Sequence, residues 1–169
     1  MSQFFPLIFV LLWSSAFITT LPIVLNSDPF SALAFRFFFV AVCFFIYSIV
    51  KKIKIKVNLS NLFNSFSTGI LFHGFYLGGV FYAIFVGLPT SIVALIVTLQ
   101  PILTNILAGY FLNEEVNIYQ WIGVILGFTG AVMVIGFDIG SKLPVKGLTA
   151  GVIALIAITT STIWQKKIS

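Results

Sequence analysis

The sequence predicts an all-α membrane protein, a polytopic helical bundle of about six transmembrane helices. Three observations lead there. Only 8% of the 169 residues are charged, 60% are hydrophobic, and the mean hydropathy is +1.16. A soluble domain carries about 25% charged residues, so too few charges remain to coat a surface facing water. With lipid as the solvent, backbone amides must be satisfied internally, by helices or by a closed barrel. Barrel strands alternate polar and apolar residues over short segments, whereas Ile92 to Leu99 and Trp121 to Ile135 are long apolar runs. Helices follow.

A helix crossing about 30 Å of hydrocarbon needs about 20 residues, and cutting at polar or turn-forming residues yields the spans in order. The first runs from about Phe4 to Leu25 and the second from Phe30 to Val50. Between them Ser27-Asp28-Pro29 reads as an N-cap followed by proline at the first helical position. The third covers Ser65 to Phe85, and Leu88-Pro89-Thr90 offers a similar start for the fourth, Pro89 to Phe111. Asn113-Glu114-Glu115 breaks the apolar pattern before the fifth, Ile118 to Phe137, and the sixth runs from Gly147 to about Trp164. Phe4 to Trp13 followed by Ser14-Ser15-Ala16 has the outline of a signal peptide. No Lys or Arg precedes it, however, and the apolar run continues to Leu25, so a retained first helix is expected.

The charges set the orientation. Lys51, Lys52, Lys54 and Lys56 follow the second helix, Lys166 and Lys167 follow the sixth, and the opposite side carries Lys142 and Lys146. The positive-inside rule then puts both termini in the cytoplasm of a multi-pass plasma membrane protein, the inner membrane in a bacterium. A net charge of +5 distributed beside apolar spans is a topology signal and offers no basic face for nucleic acid. The single cysteine, Cys43, lies in an apolar run with no metal-ligand spacing around it. No nucleophile-base pair, metal cluster or phosphate loop appears, so neither an enzyme nor a cofactor is expected.

Polar groups inside the spans are the candidate functional residues. Arg36 is the only arginine and lies about 9 Å inside the outer end of the second helix. It either lines a polar path, holding an anionic group, or snorkels outward and pairs with Asp28. Trp13, Ser14 and Ser15 fall near the middle of the first helix, and Gln100-Pro101 near the middle of the fourth, the depth at which secondary transporters place substrate. Pro101 also leaves the Val97 carbonyl without a helical donor. Interhelical hydrogen bonding is the alternative role for these groups. His73, with Tyr76 one turn on, is a candidate proton relay, though no carboxylate lies inside any expected span. Glycines four apart, Gly74/Gly78, Gly123/Gly127 and Gly147/Gly151, allow close helix approach.

The order of these features resembles the EamA family of the drug/metabolite transporter superfamily. Trp13-Ser14-Ser15-Ala16-Phe17 is similar to that family's Trp-small-Ser-Phe pattern, and Arg36 stands among aromatics as in its second helix. Thr90 to Glu114 resembles it most, with Pro101 and then Leu112-Asn113-Glu114 where the family usually has Leu-Gly-Glu. The resemblance covers about residues 5–137, one five-helix repeat, and 147–169 looks like the first helix of an incomplete second repeat. Ile158 to Ile163 falls roughly where the first repeat has Leu12 to Phe17.

The resemblance implies half of an inverted-repeat transporter that moves small metabolites or drugs by alternating access. Its substrate-pathway residues would be Trp13, Ser14, Arg36, Tyr76, Gln100 and Pro101, with Glu114 fixing the inner end of the fourth helix. The expected partners are the lipid bilayer, a small-molecule substrate, and a second copy or a missing half-transporter. A non-transporting membrane subunit or vestigial fragment that packs with partner helices is the alternative.

Overall fold

The computed structural model describes residues 4–53, 58–112, 117–135 and 143–168. Lys54, Lys56, the Asn113-Glu114-Glu115 break and Lys142 lie outside the described residues. Among the described residues the chain is helical, in the order α1 (Phe4–Asn26), α2 (Pro29–Val50), α3 (Leu59–Phe85), α4 (Thr90–Thr98 and Gln100–Leu112), α5 (Ile118–Ile135) and α6 (Val145–Ile168). α1, α2, α3, α4 and α6 are each long and apolar enough to cross a membrane, and α5 is a shorter apolar helix.

Local chemistry explains most of the boundaries. Asp28 caps α2 by accepting the Ser31 N–H at 2.8 Å, with Pro29 at the first helical position. At the end of α1, Asn26 Nδ2 and Ser27 Oγ donate to the carbonyls of Pro22 and Ile23 at 2.7 and 2.8 Å, satisfying groups that the helix end leaves open. Gly87, at φ +92°, turns the chain out of α3, a conformation that costs glycine nothing. Pro89 proves to be the cap of α4 rather than its first helical residue, and its carbonyl accepts from Ile92 and Val93 at 2.9 and 3.1 Å.

Two spans outrun the sequence reading. α3 begins at Leu59, six residues before Ser65, because Asn58 Oδ1 caps it through the Ser60 N–H at 3.2 Å. Leu59, Leu62, Phe63 and Phe66 recur at helical spacing along its first turns, opposite Ser60, Asn61 and Asn64. A uniformly apolar run, the signal of a span, begins only after this amphipathic stretch. α6 continues to Ile168, which puts Lys166 and Lys167 in its last turn, where positive charge suits the helix dipole.

The bundle is built around α6. It packs along α3 and against both halves of α4, while α1 and α2 contact each other and the C-terminal part of α3, and α1 also meets the first half of α4. Among the described residues α5 touches α4 alone. Small residues allow the central approach. A Cβ added to Gly79 would stand 2.9 Å from the Ala150 carbonyl oxygen and 3.0 Å from the Ala154 Cβ. Gly147 and Gly151 would likewise meet Leu88 at 2.9 Å and Ile96 at 3.0 Å. Of the expected glycine pairs, Gly147/Gly151 thus sits in a tight crossing. Gly74 and Gly78 have ordinary space, and nothing lies within 4 Å of the positions a Cβ would take on Gly123 or Gly127. The close approach on α3 belongs to Gly79, one residue beyond the expected pair.

Further along the same seam, Ser161 Oγ donates to the Thr68 carbonyl at 3.2 Å, a buried hydrogen bond between α6 and α3. The core joins Val80, Phe81 and Ile84 of α3 to Val93 and Val97 of α4 and to Ala154, Ala157 and Ile158 of α6. Among the described residues every buried side-chain nitrogen or oxygen has a hydrogen-bond partner, as a hydrocarbon environment demands.

Candidate functional site

A cavity of about 570 Å³ opens between α1, α2, α3, α4 and α6. Each helix contributes side chains at the spacing that puts them on one face. α1 supplies Phe9, Trp13, Ala16, Phe17 and Thr20, and α2 supplies Arg36, Phe37 and Val40. Steps of three and four residues keep such groups together on a helix. α6 closes one wall with Ile158 and Thr162, also four apart.

The α3 wall is locally irregular. Ile70–Leu77 is a π-helical stretch inside an otherwise α-helical span. Such widened turns are rare and occur often at functional sites. Phe72, His73 and Tyr76 lie within it, and all three line the cavity. Tyr76 is 2% exposed, so it forms the floor rather than the rim. His73 lies edge-on to Phe37 and Phe72, with ring centroids 4.7 and 5.1 Å away, and Phe72 packs on Tyr76 at 5.3 Å.

Polar groups meet across these walls. Trp13 of α1, Arg36 of α2, and His73 and Tyr76 of α3 all line this space. Gln100 enters from α4, where Nε2 donates to Thr104 Oγ1 at 2.9 Å. Its position follows from the interruption of α4 at Leu99, between the stretches Thr90–Thr98 and Gln100–Leu112. Pro101 has no N–H to offer Val97, and the Leu99 N–H bonds to Ile96 at 3.1 Å in a tightened turn.

Trp13, Arg36, His73, Tyr76 and Gln100 are therefore neighbours around one space, although they come from four helices. Ser14 and Pro101 do not line it. Ser14 is exposed on another face of α1, one residue and about 100° round from Trp13. Pro101 acts on the site through the backbone of α4. Phe72, Thr20 and Thr162 were missed by sequence reasoning. Thr162 lay in the polar run of the sixth helix, but its inward face could not be read from a segment with polar residues on consecutive positions. Arg36 does not pair with Asp28 in the structure. The Asp28 carboxylate caps α2, about 12 Å along the helix from Arg36.

A bundle of apolar helices around a cavity that mixes one cation with aromatic and amide groups defines a class, the polytopic membrane proteins with an internal ligand-sized space. The model of the EamA-like transporter family matches residues 2–136, and the chain belongs to that family. It is also similar to an uncharacterized transporter, YvbV, of Bacillus subtilis (strain 168), with 28% identity over 97 residues. That alignment covers 57% of this chain and 30% of the relative's length. No solved structure matches the chain at a significant level.

Proposed function

We propose that the chain works as a secondary transporter, or as part of one, moving small organic metabolites or drugs by alternating access. The observation that carries this reading is the convergence of Trp13, Arg36, His73, Tyr76 and Gln100 on a single cavity. A protein that only packed against partner helices would have no use for an arginine placed beside an internal space. Arg36 is exposed in the structure, so its guanidinium is open to a ligand entering that space, and an arginine inside a membrane span is unfavourable enough to call for such a role. The expected effect of Arg36→Ala is loss of transport in proteoliposomes with membrane insertion unchanged. Transport at the wild-type rate would contradict the assignment.

We also infer that α6 opens a second repeat. The support is positional. Thr162 corresponds to Ala16 when Ile158 to Ile163 is set against Leu12 to Phe17, and both line the same cavity. We place His73 in the cavity wall rather than in a proton path. Its neighbours there are two phenylalanine rings, and the only carboxylate among the described residues caps α2 at Asp28.

The orientation we propose has both termini and the Lys51 to Lys56 connection in the cytoplasm, because Lys51 and Lys52 follow α2 while Lys166 and Lys167 sit in the last turn of α6. In a Cys43→Ser background, Lys54→Cys in intact cells should react only with a membrane-permeant maleimide. Labelling by an impermeant reagent would reverse the orientation.

A further inference from the structure

We infer that the cavity takes small organic anions, a carboxylate or similar group on a flat apolar body, in preference to cations and zwitterions. This rests on reading the cavity as the substrate site. The lining holds one full charge, the guanidinium of Arg36, and no acidic side chain. Asp28, the only carboxylate among the described residues, is occupied at the α2 cap. Among the described residues an ammonium group entering the cavity would therefore meet a like charge and no counter-charge, whereas an anion would supply Arg36 with a partner. Guanidinium binds carboxylates through a planar pair of N–H donors.

The rest of the wall selects the body of the ligand. Phe9, Trp13, Phe17, Phe37, Phe72 and Phe81 surround the space with aromatic faces and edges, surfaces that favour stacked or edge-on flat rings. Neutral polar groups remain for orientation. The Gln100 amide donates to Thr104 through Nε2, which leaves its carbonyl oxygen to accept from a ligand hydroxyl or amide. At about 570 Å³ the cavity falls within the range of small-molecule sites. A lipid also carries an anionic group on an apolar body, so the two sources share this chemistry and must be separated by experiment.

The test is equilibrium binding to the detergent-solubilised chain, with Trp121→Phe and Trp164→Phe leaving Trp13 as the fluorescent reporter. The probes are 2-naphthoate, its neutral carboxamide, and 2-naphthylmethylammonium. Naphthoate should bind at least tenfold tighter than the carboxamide, and the ammonium weakest. Arg36→Gln should remove the preference, and Arg36→Lys should retain part of it. Equal binding of naphthoate and carboxamide by the wild-type chain, or tighter binding of the ammonium, would overturn the inference even if Arg36→Gln failed to fold. Phosphatidylglycerol binding more tightly than naphthoate, through Arg36, would overturn it in favour of a lipid headgroup. Uptake into proteoliposomes separates the two levels. Anion binding without uptake leaves this inference standing and removes the transport reading. Uptake of cationic substrates with no anion preference does the opposite.

Discussion

α2 and α6 are of similar length and are buried in inverse order to their hydrophobicity. The best apolar window of α2 has a mean hydropathy of 2.3 and is 6% buried, whereas that of α6 has 1.7 and is 50% buried. In water the more apolar helix would be the hidden one. Here α2 turns Phe35, Phe38, Phe39, Phe44 and Phe45 outward, while α6 buries Gly147, Ala150, Gly151, Ala154, Ala157, Thr159 and Ser161. Lipid accepts large apolar side chains at no cost, so hydrophobicity does not decide what goes inside. Close packing and hydrogen bonding do, and both favour small residues.

Two substitutions of opposite context would break that comparison. Gly79→Leu adds a branched side chain where even a Cβ would stand 2.9 Å from the Ala150 carbonyl oxygen. Overpacking of this kind costs roughly 1–3 kcal/mol or more, and we expect a large drop in apparent melting temperature, read by size-exclusion chromatography after heating in detergent. Phe39→Leu, at a residue 63% exposed on α2, should leave the same measurement within the change typical of surface sites, about 0.5 kcal/mol. Equal effects at the two positions would deny the division into packed seam and solvated face.

A smaller effect sharpens the account of the seam. Ser161→Ala removes the hydrogen bond to the Thr68 carbonyl, which is worth about 0.6 kcal/mol by the average for interhelical bonds in membranes. The shift in apparent melting temperature should be measurable and well below that of Gly79→Leu. A loss as large as the glycine variant's would mean that hydrogen bonding, rather than close approach, holds α6 in place.

The spans were legible because hydrocarbon imposes length and apolarity together, and the Asp28 cap was legible because Asp-Pro has few other uses at such a junction. The centrality of α6 was harder to read. Its Gly147/Gly151 pair was visible, but Gly123/Gly127 on α5 has the same spacing and sits in open space. Spacing alone does not name a partner. Faces were illegible for a related reason. In a helix apolar all round, no polar side marks the outside, so Trp13 and Ser14 looked equivalent although only Trp13 reaches the cavity. The π-helical stretch at Ile70–Leu77 left no sequence signal, since it is a change of hydrogen-bond register. Within the candidate site the ionisable and amide groups could be identified from sequence. The aromatic wall could not, because 20 phenylalanines made every span look alike.

Carbene photolabelling from the lipid phase, mapped on the native protein by mass spectrometry, tests the central division most directly. Label should fall on Phe38, Phe39, Phe44 and Phe45 of α2, and on α6 it should fall on Val152, Ile153 and Ile156, which are exposed. Ala154, Ala157 and Ile158, buried in the same helix, should stay unmarked. Label spread evenly around α6, or α2 left bare, would contradict the account.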